Sequence, residues 1–138
     1  MAFEFKDLEE GMSREIDCSV SEEQLDNYIE ITGDRNPLHV SNEYSIENGF
    51  PGRLVHGSLI EGFMSTLIGV HLPGDNSLLL SLDAKFKKPI LIDEEFVVKG
   101  TISEISEPTG TVKIKMDVYK KNDSKVSAVG VAMVKLRK

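Results

Sequence analysis

Two residues that could move protons, Asp34 and His39, lie five positions apart within the segment 33–39. Pro37, between them, lacks a backbone N–H and pushes Asn36 toward an extended conformation, so the pattern predicts a bent loop rather than regular helix. A carboxylate and an imidazole on a stiff loop can hold one water molecule between a base and its partner. The alternative is a plain surface turn, because Gly, Asp, Asn and Pro are common turn residues.

The residues around this loop form a longer pattern. From Tyr28 the chain reads Tyr-Ile-Glu-Ile-Thr-Gly-Asp-Arg-Asn-Pro-Leu-His, and the small Ser45 follows after five more residues. Every position resembles the signature of the MaoC-like (R)-specific enoyl-CoA hydratases, and segments 54–57 and 86–90 look like two further segments of that family. The resemblance covers nearly the whole chain. It implies a hot-dog fold, in which an antiparallel sheet wraps around one long central helix.

The resemblance also implies roles for individual residues. Asp34 and His39 would hold the attacking water, and the N–H of Gly57, at a helix start, would stabilise charge on the thioester oxygen. Asn36 is either a support or substrate contact of this site or a turn asparagine. Ser65 matches a family hydroxyl that supports the Asp, although a helical serine often bonds the carbonyl four residues earlier instead.

Basic side chains could contact the phosphates of coenzyme A, which is polyanionic. The candidates are Arg53, Lys85, Lys87 and Lys88, of which we favour Arg53 and Lys87 as substrate-binding residues. The alternative is a solvated strand edge that its lysines protect against aggregation. The sequence favours neither interpretation.

Other reactive side chains are interpreted more simply. His56 is expected to hydrogen-bond the long loop from the start of the central helix. The chain has no His-x-x-x-His or paired-Cys spacing, so no metal site is predicted. Cys18 has no evident activator and is not expected to be a nucleophile. The reaction implied by the resemblance needs no cofactor, because coenzyme A is part of the substrate.

Length and composition exclude several classes of protein. With 138 residues the chain predicts one domain, 1–138. The net charge of −7 argues against nucleic-acid binding, and the absence of a basic amphipathic helix argues against membrane association. The single cysteine and an N-terminus without a basic, apolar start predict a cytoplasmic protein.

Two segments must position the loop residues. Ser21 and Gln24 have the spacing of a capping box and predict a helix over 22–31. The following connection, 33–57, is long enough to suggest a functional loop, with one helical turn expected over 41–48.

The central helix is expected over 58–71. It is apolar over half its circumference, and the opposite side carries small residues, so we expect it to be buried nearly all round. The small residues are Ser58, Gly62, Ser65 and Gly69. Glu61 departs from this pattern and could face solvent, pair with Lys87 or narrow an acyl tunnel.

The rest of the chain alternates as strands do. Strands are predicted over 14–20, 78–88, 96–105, 111–119 and 126–136. Turn residues at 107–110 and 122–124 favour hairpins, so the last four strands are expected to form an antiparallel meander. One long helix beside such a sheet is an α+β architecture.

The resulting functional hypothesis is (R)-specific hydration of trans-2-enoyl-CoA to (R)-3-hydroxyacyl-CoA, which is reversible. A 3-hydroxyacyl-[acyl-carrier-protein] dehydratase differs only in the carrier. A hot-dog thioesterase and a non-catalytic acyl-CoA-binding domain are the alternatives from other classes. The resemblance further implies a homodimer or a higher homo-oligomer.

Overall fold

The computed structural model describes residues 2–137, with helices mainly in the first half and strands in the second. In chain order the elements are a 3-10 turn (Phe5–Asp7), β1 (Ser13–Cys18), α1 (Glu22–Thr32), α2 (Pro37–Val40), α3 (Asn42–Glu47), α4 (Gly57–Thr66), a π-helical turn (Leu67–His71), β2 (Ser77–Phe86), β3 (Phe96–Ser106), β4 (Thr111–Lys120) and β5 (Val126–Leu136). The two main predicted helices and all five predicted strands are confirmed, with bounds that differ by at most two residues when the π-helical turn is counted with α4.

The first helix begins and ends as its capping residues dictate. Ser21 Oγ accepts the Gln24 N–H at 3.1 Å, and Gln24 Oε1 accepts the Ser21 N–H at 3.0 Å, which completes the predicted capping box. Gly33 then ends α1 with φ 72°, a left-handed conformation that glycine adopts without strain. The chain therefore leaves the helix one residue before Asp34.

The loop that follows is only partly irregular. Residues 33–36 are non-helical, but Pro37 begins the short helix α2. Proline is favoured at a first helical position because the N–H that it lacks would have no partner there. The expectation that 33–39 contains no regular helix is therefore wrong from Pro37 onward.

The five strands form one antiparallel sheet in the order β1-β3-β4-β5-β2. The hairpins β3–β4 and β4–β5 are confirmed. The meander is wrong for β2, which pairs with β5 at the far edge and leaves the place beside β3 to β1. The segment 87–95 is too long for a tight hairpin, and it carries the chain from one edge of the sheet across to β3.

The sheet packs around α4 and its π-helical continuation. Met64 and Leu67 are fully buried there. Gly100 on β3 and Gly130 on β5 make room for them: an added Cβ would lie 2.2 Å from Leu67 Cδ2 and 2.8 Å from Met64 Sδ, respectively. Two strands thus lack a side chain where the helix approaches the sheet most closely.

The opposite face of α4 is not covered within one chain. All four small residues, Ser58, Gly62, Ser65 and Gly69, are exposed. The expectation of a helix buried nearly all round is therefore wrong for the single chain, since no described element lies over this face.

Candidate active site

The loop before α2 fixes Asp34 through its own backbone. Asp34 Oδ1 accepts the Asn36 N–H at 3.3 Å, and Asn36 Oδ1 in turn accepts the Leu38 N–H at 3.0 Å. Asn36 is therefore the N-cap of α2, as the turn interpretation of this residue predicts. The second carboxylate oxygen of Asp34 is left for other partners, and the side chain is 47% exposed.

The orientation of the His39 ring is set by a backbone carbonyl. His39 Nδ1 lies 2.7 Å from the Leu54 oxygen. Since a carbonyl only accepts, Nδ1 carries the proton, and a neutral ring then has its lone pair on Nε2. Leu54 also donates its N–H to the Leu38 oxygen at 2.9 Å. The half-buried His39 is therefore held with an Nε2 that can accept a proton.

His56 joins the two predicted catalytic residues. Its Nε2 lies 3.1 Å from the backbone oxygen of Asp34, and its ring stacks on that of His39 with 3.7 Å between the centroids. The predicted hydrogen bond from His56 to the loop is confirmed. The stacking was not anticipated, and its only signal in the sequence is that His56 directly precedes Gly57.

His56 is held in the neutral form. It is 1% exposed, and its Nδ1 has no hydrogen-bond partner among the described residues. Burial is the main cause that lowers the pKa of His56; His39 and Arg53 lower it further, while the backbone bond to Asp34 and that carboxylate oppose the shift. His56 therefore resists taking up a proton in the folded chain.

Acid is expected to destabilise the protein through His56. Because the pKa of His56 in the folded chain lies below its ordinary value of 6.5, the unfolded chain binds the proton more readily. The stabilisation is complete above pH 6.5 and is lost as the pH falls below it. Urea unfolding on both sides of pH 6.5 measures this loss.

The variant His56→Gln isolates the effect, because its amide keeps a donor near the Asp34 carbonyl but does not titrate. His71→Gln, outside the site, is the matched control. We expect the stability of His56→Gln to depend less on pH than that of wild type, and His71→Gln to behave as wild type does. An unchanged pH dependence in His56→Gln would contradict the assignment.

Two further residues of the sequence pattern, Tyr28 and Ser45, contact the segments that carry His39 and His56. The Tyr28 ring packs edge-on against His56 at 5.0 Å between centroids, and its hydroxyl lies 2.6 Å from Ser58 Oγ. Ser45 is fully buried and donates to the Leu38 oxygen at 2.9 Å. The aromatic and small positions of the pattern thus hold the helices that carry the histidines.

Gly57 and His39 line one cavity. Gly57 is the first residue of α4, so its N–H has no helical acceptor, and the described residues offer it no other. The cavity has a volume of about 380 Å³. Its walls are mainly apolar and include Phe50, Ile60 and Phe86. An added Cβ at Gly57 would lie 3.0 Å from the Phe86 ring, so only glycine fits here without displacement of that ring.

The predicted phosphate-binding role of Arg53 is wrong for the conformation described. Arg53 is 6% exposed, and its guanidinium binds the carboxylate of Asp26 at 2.6 Å and the backbone oxygen of His39 at 2.7 Å. Since these internal acceptors occupy the guanidinium, it does not face a ligand.

Lys87 remains a candidate for ligand binding. It is exposed, lines the cavity with His39 and Gly57, and has no ion pair within residues 2–137. Its neighbour Lys88 also lines the cavity but is paired with Asp123 at 3.1 Å. An exposed ammonium beside the cavity, with no ion pair among residues 2–137, suits an anionic ligand.

Comparison with known proteins gives the family. The model of the MaoC like domain family matches residues 4–126. The chain belongs to the MaoC-like family.

Two curated relatives are similar to this MaoC-like chain. The 3-hydroxybutyryl-CoA dehydratase of Methylorubrum extorquens is 33% identical over 101 residues, which are 73% of the chain and 64% of that protein. The (R)-specific enoyl-CoA hydratase of Rhodospirillum rubrum is 31% identical over 99 residues, 72% of the chain and 69% of that protein. The matched part of the chain thus spans slightly less than two thirds of the first relative.

A solved structure confirms the hot-dog fold. The R-hydratase PhaJ1 of Pseudomonas aeruginosa superposes with a TM-score of 0.89 at 26% identity, over 97% of the MaoC-like chain and 85% of that protein. The predicted α+β architecture, an antiparallel sheet wrapped around a central helix, is therefore correct.

Two expectations about α4 of the MaoC-like chain fail. Ser65 is exposed and has no hydrogen bond with Asp34, because it lies two turns, about 12 Å, along the axis from Gly57. The back-bond to a carbonyl is made by Thr66 instead, to the Gly62 oxygen at 3.1 Å. Among the described residues Glu61 forms no ion pair with Lys87, which removes one of its three interpretations.

A metal site was not predicted from spacing, yet the structure brings three potential ligands together. Ligand atoms of Asp34, His39 and His56 lie within 4.8 Å of one another. The two imidazole planes are nearly parallel, at 22°, so their lone pairs do not converge as tetrahedral coordination requires. The cluster suits proton transfer better, and a site without metal stays our prediction.

The structure also bears on the predictions about Cys18 and about membrane association. Burial, with a smaller contribution from Asp17, raises the pKa of Cys18 to about 11, which fits the prediction that this thiol is not a nucleophile. Within residues 2–137 no helix is long and apolar enough to cross a membrane.

Proposed function

We propose that this MaoC-like hydratase/dehydratase adds water to trans-2-enoyl-CoA and forms (R)-3-hydroxyacyl-CoA, reversibly. One observation carries the proposal. His39 and Gly57 line one cavity, the Gly57 N–H has no acceptor among the described residues, and His56 binds the backbone of Asp34 while it stacks on His39. An acid–base pair and an oxyanion donor are the groups that hydration of a conjugated thioester needs.

The mechanism follows from these positions. The substrate's thioester oxygen binds the Gly57 N–H, which favours the negative charge that develops there as water attacks carbon 3. Asp34 and His39 hold that water; one takes a proton from it, and a proton is delivered to carbon 2. The water oxygen becomes the 3-hydroxyl, and the thioester bond stays intact. The proposed step needs no redox cofactor, because addition of water across the double bond involves no external oxidant or reductant, and it assigns the stabilisation of charge to the Gly57 N–H rather than to a metal.

The carrier is coenzyme A in this proposal, and Lys87 is the residue that we assign to its phosphates. An acyl-carrier-protein dehydratase remains the alternative within the class, because both carriers present the same thioester. Competition between crotonyl-CoA and the crotonyl carrier protein distinguishes them.

A homodimer is part of the proposal. The edge strand β2 has a partner strand on one side only among the described residues, and it exposes Leu78, Leu80 and Phe86. The small face of α4 is also uncovered in the single chain. Pairing of two β2 edges would make the sheets continuous and protect these groups. Light scattering tests this, with an expected mass twice the 15.3 kDa of one chain.

The decisive experiment follows the ultraviolet absorbance of crotonyl-CoA and the chirality of the product. Loss of the conjugated signal with an (R)-3-hydroxy product supports the proposal. Release of free thiol would indicate a thioesterase, and binding without turnover would indicate an acyl-CoA-binding domain. Either result, repeated with longer enoyl chains and carrier-protein substrates, would overturn the hydratase.

A further inference from the structure

Arg53 is a buried cation that contacts three separate parts of the chain. Its Nε donates to the His39 carbonyl at 2.7 Å and its Nη2 to Asp26 at 2.6 Å, while Nη1 lies 3.6 Å from Glu22. Its backbone N–H donates to Asn42 Oδ1 at 3.0 Å. The guanidinium therefore connects α1 to α2, and the backbone N–H of the same residue binds the first residue of α3.

Arg53 and the next residue, Leu54, both bind His39. Arg53 holds the backbone of His39, and the carbonyl of Leu54 holds the His39 ring at Nδ1. Both ends of the histidine are thus bound by consecutive residues. The ion pair with Asp26 fixes this dipeptide to α1, a helix that ends one residue before Asp34.

We propose that Arg53 is a positioning residue that sets the place of the His39 imidazole relative to Asp34. The inference rests on the proposed hydratase function and adds a residue to it. Arg53 does not line the cavity and is not expected to touch the substrate.

The geometry requires an arginine rather than any cation. The three nitrogens of the planar guanidinium face three oxygen atoms in different directions. A lysine has a single nitrogen at the end of a flexible side chain. Arg53→Lys would keep the charge but lose at least one of the two short contacts. We therefore expect Arg53→Lys to have intermediate activity between wild type and Arg53→Met.

The expected effect is on turnover. A displacement of a catalytic group by about 1 Å can cost about a hundredfold in rate, and we expect Arg53→Met to lower kcat by at least about tenfold with little change in KM. Asp26→Asn should also lower kcat, but by less, because Arg53 keeps its bond to His39 and its contact with α1 loses the charge of the carboxylate while an oxygen acceptor remains.

A matched control separates positioning from stability. Lys120 and Glu94 form another partly buried ion pair at 3.1 Å, between β4 and the segment before β3. Lys120→Met should lower the unfolding free energy without changing kcat of the folded protein. Equal losses of kcat in Lys120→Met and Arg53→Met would overturn the proposal.

The phosphate-binding alternative is tested with two substrates. Crotonyl-CoA carries phosphates, and the crotonyl thioester of N-acetylcysteamine carries none. If Arg53 positions His39, Arg53→Met loses the same factor in kcat on both. A loss confined to crotonyl-CoA, seen as a raised KM, would overturn the proposal in favour of phosphate binding.

A measurement without substrate keeps the inference separate from the proposed activity. In wild type the Nδ1 proton of His39, bonded to the Leu54 oxygen, should exchange slowly and be visible by NMR. We expect Arg53→Lys and Arg53→Met to lose or broaden it, while Lys120→Met keeps it. An unchanged signal in both Arg53 variants would overturn the positioning role, whether or not the wild type hydrates crotonyl-CoA.

If Arg53→Met does not fold, Arg53→Lys and Asp26→Asn decide the question in the same assays.

Discussion

Replacement of Asp34 by Asn is expected to lower the turnover of crotonyl-CoA by at least about a hundredfold, the usual scale for a lost acid–base group. The amide oxygen of Asn can still accept the Asn36 N–H, which Asp34 Oδ1 accepts at 3.3 Å, so the loop should keep its shape. What is lost is the charge on Oδ2, 3.9 Å from His56 Nε2. Turnover at saturating substrate measures this loss.

The control for Asp34→Asn is another exposed carboxylate near the loop. Glu30, at the end of α1, pairs with Arg35 at 3.5 Å and has no contact with the histidines. Glu30→Gln should leave turnover unchanged. Near-normal turnover of Asp34→Asn would show that Asp34 is not the acid–base partner. Urea unfolding of the variant checks that the protein assayed is folded, so that a loss of turnover reports on the chemistry.

Local patterns predicted the elements of the fold well, and long-range order less well. The capping box at Ser21 and the alternation in the strands depend on neighbours in sequence, and both were confirmed. The place of β2 depends on which strand edge it meets after a crossover of the chain, and no short-range signal specifies that edge. The exposure of the α4 face likewise depends on what covers it, which the residues of the helix do not encode.

In the candidate site, too, local patterns were more informative than single residues whose contacts depend on packing. Asp34, His39 and Gly57 were selected from their spacing and the longer pattern, and the structure brings Asp34 close to His39 and places His39 and Gly57 around one cavity. Arg53 was assigned to phosphates because its charge is visible in the sequence, whereas its burial against Asp26 is a property of the packed helices.

The contact of His56 with the site was only partly predicted, because it too depends on residues far apart in the sequence. Stacking of His56 on His39 joins residues 17 positions apart across two helices. Ser65 was assigned because it matches a family hydroxyl and lies on the small face of the helix, and neither observation places it close to the loop in the folded chain.

Replacement of His39 is expected to have an effect as large as that of Asp34. His39→Gln should lower turnover by at least about a hundredfold, since an amide cannot gain and lose a proton near neutral pH. Gln places its amide near the former Nε2 and loses the donor to the Leu54 oxygen. His39→Asn does the reverse, because its amide nitrogen can replace Nδ1 and its 2.7 Å bond.

The variants His39→Asn and His39→Gln distinguish a role of the imidazole in proton transfer from a role of its bond to the Leu54 oxygen. His39→Asn should keep the loop anchored, with an unfolding free energy near that of wild type, and still lose turnover as His39→Gln does. If the loss came only from the Leu54 bond, His39→Asn would retain activity, and the imidazole would have no role in proton transfer. Turnover and urea unfolding of both proteins therefore test whether Nε2 of His39 transfers the proton, because the Leu54 carbonyl binds the other ring nitrogen and Arg53 binds only the backbone of this residue.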